Sequence, residues 1–444
     1  MTSRPFSAGR LRWILGIEDT CVVPPDGSAM GALDEYDLTD HTAQWRDDLQ
    51  RVRDLGADAL RYGVRWPKVH LAPGVFDWAA LDERLAHAVG DLGLTVIADL
   101  VHYGTPTWLP GSFADPGYPA AVAEFAGAFA ARYRGVVDHI TPLNEPVTTA
   151  SFCGLRGVWP PARTGWTGWT AVTMGIVDGM RRSIATIRAH NPDAVVVHVE
   201  ASALYLAAEP DLQAHADLLS ATASLPTDLL LGLVDGRHPM RAWLLQHGAD
   251  PDRLDAFLER VPAVDLLGVN YYPDLTPRTL VPLSGSVEQR TSNRWTDGLE
   301  HCLRWFADRY RLPMLVTETS IEGDDETRAR WALDSAATVT ALHEEGVDVR
   351  GHTWWPLTDF VDWSWASGGR NVEEFLLDGA TASSSAEQQY ADVAAGRSAF
   401  LRRMGLFRLE EDADGSLRRI PTAAARAFAS VSSGRRAAET TRAG

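Results

Sequence analysis

Residues 139–146 read His-Ile-Thr-Pro-Leu-Asn-Glu-Pro, a short apolar run that ends in a glutamate between an asparagine and a proline. Such a run is typical of a buried strand, and Pro146 ends it because proline has no backbone N–H to extend a β-ladder. Residues 313–320, Pro-Met-Leu-Val-Thr-Glu-Thr-Ser, place Glu318 in the same kind of position. Either acid alone could be a structural, salt-bridged group. Their meaning therefore depends on whether the fold brings Glu145 and Glu318 together.

The surrounding chain alternates short apolar runs with helix-like patterns. Besides the two segments above, the runs cover residues 11–16, 57–64, 94–101, 194–199, 264–270 and 349–355. About eight strand-then-helix units predict a parallel sheet. An open doubly wound sheet is the alternative, but no GxGxxG or phosphate-binding loop follows any strand, and eight units close a barrel. We therefore predict an α/β fold, a (β/α)8 TIM barrel in a single domain.

The predicted barrel spans residues 11–432. An N-terminal tail precedes it at residues 1–10, and a Gly-, Arg- and Thr-rich end at residues 433–444 is expected to be a disordered C-terminal tail. A Pro- and Ser-rich stretch at residues 273–293 is expected to be a loop, and residues 386–403 are expected to form a helix.

Composition narrows the class of protein. The 444 residues are 45% hydrophobic and carry a formal charge of −18, with 41 Lys and Arg against 59 Asp and Glu. A nucleic-acid partner is not expected, because no concentrated basic patch is present. The longest apolar runs are shorter than a membrane span, and three widely spaced cysteines fit reduced thiols. We therefore expect a cytoplasmic protein with no membrane partner; its oligomeric state is left open.

Polar residues end many of the predicted strands. They are Glu18, Arg61, His102, Glu145, Glu200, Asn270 and Glu318. In a (β/α)8 barrel, functional residues lie at the C-terminal ends of the strands. Two carboxylates at one barrel mouth are the groups that a retaining glycoside hydrolase needs, about 5–5.5 Å apart. Two carboxylates and water suffice for that chemistry, so no cofactor is expected. Spacing alone does not say which acid is the nucleophile.

Several segments resemble those of family 1 glycoside hydrolases, the β-glucosidase-like retaining enzymes with a (β/α)8 barrel. Thr-Pro-Leu-Asn-Glu-Pro is similar to the acid/base motif of that family, and Leu-Val-Thr-Glu-Thr to its nucleophile motif. Further similar segments lie at residues 59–67 (Ala-Leu-Arg-Tyr-Gly-Val-Arg-Trp-Pro), 101–103 (Val-His-Tyr), 267–272 (Leu-Gly-Val-Asn-Tyr-Tyr) and 355–363 (Trp-Pro-Leu-Thr-Asp-Phe-Val-Asp-Trp). The resemblance extends from about residue 11 to residue 430.

The resemblance implies roles for individual residues. Glu145 would be the general acid/base and Glu318 the nucleophile, held by Arg61 and Tyr272. Asn144 would bind the sugar 2-hydroxyl, and Asn270 would support the catalytic centre. The residues that would line the glycone pocket are His102, Trp355, Asp362 and Trp363. The implied partner is a small-molecule glycoside or an oligosaccharide.

Three departures from the family pattern bear on specificity. Residues 16–20, Gly-Ile-Glu-Asp-Thr, stand where the family has a glutamine, which makes Glu18 a candidate substrate-binding residue. Asp362 replaces a longer glutamate, and residues 103–105, Tyr-Gly-Thr, replace Trp-Asp-Leu. The sequence is therefore that of a divergent branch. Besides hydrolysis, two alternatives stay open: a transglycosidase acting on a small-metabolite acceptor, and a carbohydrate-binding protein that has lost turnover.

Overall fold

The computed structural model describes residues 6–7, 9–28, 30–283, 286–369 and 393–442. Eight parallel strands form a closed barrel. They are β1 (Arg12–Gly16), β2 (Ala59–Gly63), β3 (Thr95–Asp99), β4 (His139–Thr141), β5 (Val195–Ala201), β6 (Leu266–Asn270), β7 (Met314–Glu318) and β8 (Val349–Trp354). Each strand pairs with the next in the chain, and β8 closes the ring on β1. The predicted (β/α)8 fold is confirmed.

Helices separate the strands and cover the outside of the barrel. The long ones are α1 (His41–Asp54), α2 (Ala79–Leu85, continued by a π-helical turn at Ala86–Asp91), α3 (Tyr118–Arg132), α4 (Gly165–His190), α5 (Gln213–Leu230), α6 (Trp295–Tyr310), α7 (Asp325–Glu344) and α8 (Ala423–Arg442). The strands β2, β6 and β7 are buried along their whole length. Burial on both faces explains why β6 and β7 are largely apolar, whereas β2 carries the buried Arg61 at its centre. No helix in the described part of the chain is long and apolar enough to cross a membrane.

Short strands and helical turns lie in the connections outside the eight-stranded barrel. Paired strands lie at Cys21–Val22 with Leu33–Asp34, His70–Ala72 with Val75–Phe76, Phe360–Val361 with Leu401–Arg402, and Phe407–Glu411 with Leu417–Pro421. Single helical turns or short helices lie at Glu35–Leu38, Trp66–Val69, Ser112–Ala114, Pro146–Ala150, Ser151–Leu155, Pro210–Leu212, Arg241–Gln246, Pro251–Leu258, Trp363–Ser367, Val393–Ala395 and Arg397–Phe400.

The N-terminal tail contributes to the core. Phe6 is buried and packs with Ile14 and other apolar side chains inside the barrel. Its ring also meets His139 edge-on at 5.1 Å, at the N-terminal end of β4. Phe6 therefore closes the bottom of the barrel, the end opposite the strand termini that carry the acids.

Two local predictions were wrong. Residues 277–291, expected as loop, form an antiparallel hairpin of Pro277–Leu283 and Ser286–Thr291, and the first of these strands also pairs with Leu204–Ala207. The hairpin is stabilised because Leu280 is fully buried against helix α5 and its N-terminal turn. The described part of the helix expected at residues 386–403 forms two short helical turns, Val393–Ala395 and Arg397–Phe400, in place of one continuous helix. Gly396 adopts a φ of +80° there, which a right-handed helix does not accommodate.

The C-terminal end also differs from expectation. The tail from Ser433, which was expected to be disordered, is helical as far as Arg442, where α8 ends. Residues 443 and 444, and residues 386–392 of the expected helix, lie outside the described residues.

Candidate active site

Arg61, at the third position of β2, lies at the centre of the barrel mouth. Its side chain is fully buried. Nη1 donates to Glu18 Oε1 at 2.6 Å and to Glu318 Oε1 at 2.8 Å, and Nη2 donates to Asp99 Oδ2 at 2.9 Å. One guanidinium therefore holds three carboxylates that come from the ends of three different strands. Arg61 is the group that fixes these carboxylates relative to one another.

Glu318, the last residue of β7, is gripped from two sides. Besides Arg61, the hydroxyl of Tyr272 donates to Glu318 Oε2 at 2.7 Å. Burial raises the pKa of Glu318, and the nearby Glu145 adds to that rise. The charges of Arg61 and His102 oppose it. The expected partners of Glu318 are thus present, but burial and Glu145 outweigh their effect on its pKa.

Glu145 follows β4 and begins the short helix Pro146–Ala150 in a left-handed conformation, with φ of +44°. Asn270 Nδ2, at the end of β6, donates to Glu145 Oε1 at 2.8 Å. Asn270 Oδ1 accepts from Thr317 Oγ1 at 2.6 Å, and this bond orients the NH2 group of Asn270 towards Glu145. The second oxygen of Glu145 accepts from the hydroxyl of Tyr103 at 2.5 Å. Neutral donors therefore hold Glu145, whereas a cation holds Glu318.

Asn144 and His102 lie between the two acids. Asn144 Oδ1 accepts from Arg61 Nη2 at 3.2 Å, and its Nδ2 donates to the hydroxyl of Tyr103 at 2.9 Å. His102 Nδ1 lies 3.0 Å from Asp99 Oδ2. Burial disfavours the charged imidazole, but Asp99 and nearby acids outweigh burial and raise the pKa of His102. Residues expected at one site from the sequence are thus in direct contact.

The aromatic residues after β8 form one wall of the site. Trp355 Nε1 donates to the main-chain oxygen of Glu18 at 2.5 Å, and the Trp355 ring lies 6.0 Å from that of Tyr272. Trp363 meets the rings of Tyr103 at 5.7 Å and Trp159 at 5.0 Å. The two indoles therefore pack beside the tyrosines that contact Glu318 and Glu145.

The carboxylates of Asp362 and Glu18, both expected to bind the sugar, are bonded to protein groups. Asp362 Oδ1 caps the helical turn Trp363–Ser367 by accepting from Ser364 N at 2.9 Å, and Arg402 Nη1 lies 3.7 Å from its other oxygen. Glu18 is fully buried beside Arg61, and burial raises the pKa of Glu18 well above its usual value. Glu18 thus binds the Arg61 guanidinium. Its role as a substrate-binding residue stays a prediction.

Sequence reasoning missed Asp99, Tyr103 and Asp19 as members of the site. Asp99 joins Arg61 to His102, and Tyr103 joins Asn144 to Glu145. Burial raises the pKa of Asp19 to about 7, although His102 opposes the shift. Their positions in the sequence could have indicated two of these residues, because Asp99 ends an apolar strand and Tyr103 directly follows His102.

The arrangement brings Glu145 and Glu318, the Arg61 cation and several neutral donors to one barrel mouth. In the ring of eight strands, β5 and β6 lie between β4 and β7 on one side. Such a site can protonate a leaving group with one acid and attack with the other. Among the described residues, no group of three or more His, Cys, Asp and Glu side chains is arranged to hold a metal ion.

Comparisons of the sequence and of the structure with known proteins all find glycosyl hydrolases or β-glucosidases. The model of Glycosyl hydrolase family 1 matches residues 32–371. A β-glucosidase of Agrobacterium sp. is 24% identical over 377 residues, or 73% of this chain and 77% of that protein. A bifunctional β-D-glucosidase/β-D-fucosidase of Bifidobacterium breve is 24% identical, with 74% and 81% covered. The structure of a Thermotoga maritima β-glucosidase in complex with azafagomine has a TM-score of 0.76 at 16% identity, covering 96% of this chain and 98% of that one.

Proposed function

Because this chain belongs to glycosyl hydrolase family 1 and is a glycoside hydrolase, we propose that it is a retaining β-glycosidase with two catalytic glutamates. Glu318 is the nucleophile and Glu145 the general acid/base. The observation that carries this assignment is the difference between their environments. A buried cation contacts Glu318, whereas Glu145 accepts only from an amide and a phenol among the contacts described.

The environments fit the two roles. A nucleophilic carboxylate must be ionised when the substrate binds, and the opposite charge of Arg61 favours that form. An acid/base must both give and take a proton during one cycle, which a permanent cation beside it would hinder. Asn270 and Tyr103 orient Glu145 without adding a positive charge.

The reaction then proceeds in two displacements. Glu318 attacks the anomeric carbon while Glu145 gives its proton to the leaving oxygen, so the glycosidic C–O bond breaks as a covalent glycosyl ester forms. Glu145, now a carboxylate, takes a proton from water, and that water attacks the anomeric carbon and releases Glu318. Retention of configuration follows from the two inversions. The named relatives make an aryl β-glucoside the first substrate to test.

The test is the variant Glu318→Gly. We expect it to lose hydrolysis of an aryl β-glycoside by at least about 10³-fold, because no covalent intermediate can form. Added azide should restore turnover and give an α-glycosyl azide, since the small anion takes the empty place of the carboxylate. The matched control is Glu209→Gly, an exposed acid in a loop, which should keep wild-type activity. A Glu318→Gly enzyme with wild-type activity would contradict the assignment.

Further assays distinguish hydrolysis from the two other functions, transglycosylation and carbohydrate binding without turnover. A transglycosidase would give new glycosides when a sugar or small alcohol is added, and product analysis with and without the acceptor detects them. A protein that only binds carbohydrate would show calorimetric sugar binding without covalent labelling by an activated 2-deoxy-2-fluoro glycoside. We expect labelling on Glu318, detected by peptide mass spectrometry.

A further inference from the structure

The hydroxyl of Tyr103 lies inside the candidate active site, between the groups that would surround the reacting carbon. It donates to Glu145 Oε2 at 2.5 Å and accepts from Asn144 Nδ2 at 2.9 Å. Burial raises the pKa of Tyr103 well above its usual value, and the charges of Glu145 and Glu318 add to the rise. The phenol therefore keeps its proton and remains a donor to Glu145.

Both polar atoms of the Asn144 side chain already have protein partners. Its Oδ1 is taken by Arg61, its Nδ2 by Tyr103, and His102 Nε2 lies 3.4 Å from the same nitrogen. Asn144 is also fully buried. The amide nitrogen that the family resemblance assigns to a sugar 2-hydroxyl thus already donates to a protein hydroxyl.

Tyr103 is held in place by its surroundings. Only 2% of it is exposed, and its ring packs against Trp159 at 5.1 Å and Trp363 at 5.7 Å. Its backbone has a φ of +74°, which is uncommon for a bulky residue and persists only where neighbours enforce it. The next residue, Gly104, is pressed against Cys21, since a Cβ there would lie 1.8 Å from the Cys21 carbonyl oxygen. The ring and the backbone after it are therefore closely packed on both sides.

A sugar bound for attack by Glu318 must place its C2 substituent in this region. C2 is bonded to the anomeric carbon, so a hydroxyl on it lies within a few ångströms of both catalytic acids and of Asn144. The Tyr103 hydroxyl already makes the contacts that such a hydroxyl would make. A sugar 2-hydroxyl would overlap with the Tyr103 hydroxyl or displace it from its partners. Either the overlap or the loss of partners would cost binding free energy.

Building on the proposed glycosidase function, we propose that Tyr103 substitutes for the 2-hydroxyl of the glycone and that the substrates of this enzyme are β-glycosides of 2-deoxy sugars. A hydrogen at C2 leaves the Tyr103 hydroxyl and its two hydrogen bonds intact. The protein itself then supplies the polar contact that a 2-hydroxyl would bring to Asn144 and Glu145. The enzyme thus discriminates against a hydroxyl at C2.

The experiment compares 4-nitrophenyl β-glucoside and β-galactoside with their 2-deoxy counterparts. Each kcat/KM is divided by the rate constant of the same substrate without enzyme, because 2-deoxy glycosides also hydrolyse faster unaided. We expect the normalised value for the better 2-deoxy substrate to exceed that of its 2-hydroxy partner at least about tenfold, which is the effect of one misplaced buried polar group.

Variants of Tyr103 test the cause. Tyr103→Phe keeps the ring but removes the hydroxyl, and should lower kcat/KM for the 2-deoxy substrate about tenfold. Tyr103→Ala opens space for a 2-hydroxyl, and should shift the preference towards the 2-hydroxy substrate by about tenfold or more. The matched control is Tyr118→Phe, a fully buried tyrosine whose hydroxyl has no hydrogen-bond partner in the described structure. It should leave the preference unchanged.

The outcomes distinguish this inference from the function on which it rests. Equal or greater normalised activity on the 2-hydroxy glycosides, lost in Glu318→Gly, would overturn the inference and leave the glycosidase function standing. A 2-deoxy preference that Tyr103→Ala does not change would overturn the role of Tyr103. No cleavage of any member of the panel would remove the proposed function, and the inference with it.

Discussion

At the scale of single residues, the site is an arrangement of charges around Arg61. Asp99 Oδ2 accepts from Arg61 Nη2 at 2.9 Å and lies 3.0 Å from His102 Nδ1. Asp99 therefore connects the guanidinium that holds Glu318 to an imidazole whose pKa is raised. Removal of the Asp99 charge therefore affects both Arg61 and His102, while Glu145 and Glu318, the two proposed catalytic glutamates, stay unchanged.

We predict that Asp99→Asn lowers kcat/KM about a hundredfold, because loss of one charge from a buried pair costs about 3 kcal/mol. The pKa of His102, followed by NMR, should fall because its raising partner has become neutral. The control is Asp91→Asn, which removes an exposed acid 2.7 Å from His87 Nδ1 and should leave activity unchanged. Full activity in Asp99→Asn with an unchanged His102 titration would show that Asp99 does not organise the site.

At the scale of elements, glycines set how closely the outer helices pack. A Cβ on Gly179 of α4 would lie 2.5 Å from the ring of Tyr118 at the start of α3, and one on Gly127 of α3 would lie 2.4 Å from Thr186 Cγ2. The two helices therefore pack more closely than side chains at these positions would permit.

We predict that Gly179→Ala lowers the free energy of unfolding by about 1–3 kcal/mol, because the added methyl group forces a shift of α3 against α4. Gly90→Ala is the matched control. Gly90 is exposed in a helical turn with nothing within 4 Å of the added Cβ, so this change should raise the free energy of unfolding by about 0.5–1 kcal/mol. Urea denaturation of both variants measures the difference. Shifts in the same direction would contradict the packing argument.

At the scale of the whole molecule, a buried network joins the N-terminal and C-terminal parts of the chain. Asp48 on α1 accepts from Arg419 Nε at 3.0 Å and from Arg419 Nη2 at 2.9 Å. His41 Nδ1 lies 2.9 Å from Asp48 Oδ2, and His41 Nε2 lies 2.9 Å from the hydroxyl of Tyr62 on β2. Burial would raise the pKa of Asp48, but His41 and Arg419 outweigh it and lower that pKa to about 2.

A lowered carboxyl pKa gives stability that is present at higher pH and lost on acidification. The unfolded pKa is about 3.9. The contribution of Asp48, about 2–3 kcal/mol, is complete above about pH 5 and roughly half lost by pH 3, as the pH approaches the folded pKa. We predict that Asp48→Asn is less stable than the wild type by this amount at pH 7, and that the gap narrows towards pH 3. Urea midpoints at a series of pH values test this prediction.

The matched control for that series is Asp47→Asn, an exposed neighbour on the same helix turn. It should change the free energy of unfolding by less than about 0.5 kcal/mol at every pH. A gap between Asp48→Asn and the wild type that is equally large at pH 3 and pH 7 would contradict the linkage to the Asp48 charge.

The sequence by itself determined the barrel and the identity of its two candidate acids. Buried parallel strands must be apolar on both faces, so each strand was visible as a local run, and the residue that ended it was visible too. The hairpin at residues 277–291 was not, because its stability comes from the strand Leu204–Ala207 and from helix α5, which are distant in the chain.

Only the tertiary structure decided what surrounds each acid. Arg61 meets Glu18, Asp99 and Glu318 because the closed barrel brings the ends of different strands to one mouth. Tyr103 likewise reaches Glu145, 42 positions away, because the loop after β3 lies beside the one after β4. Hydrogen bonds and charges act over a few ångströms in space, whatever the separation in sequence. Strand patterns can therefore be read locally, whereas the environment of a catalytic group requires the folded chain.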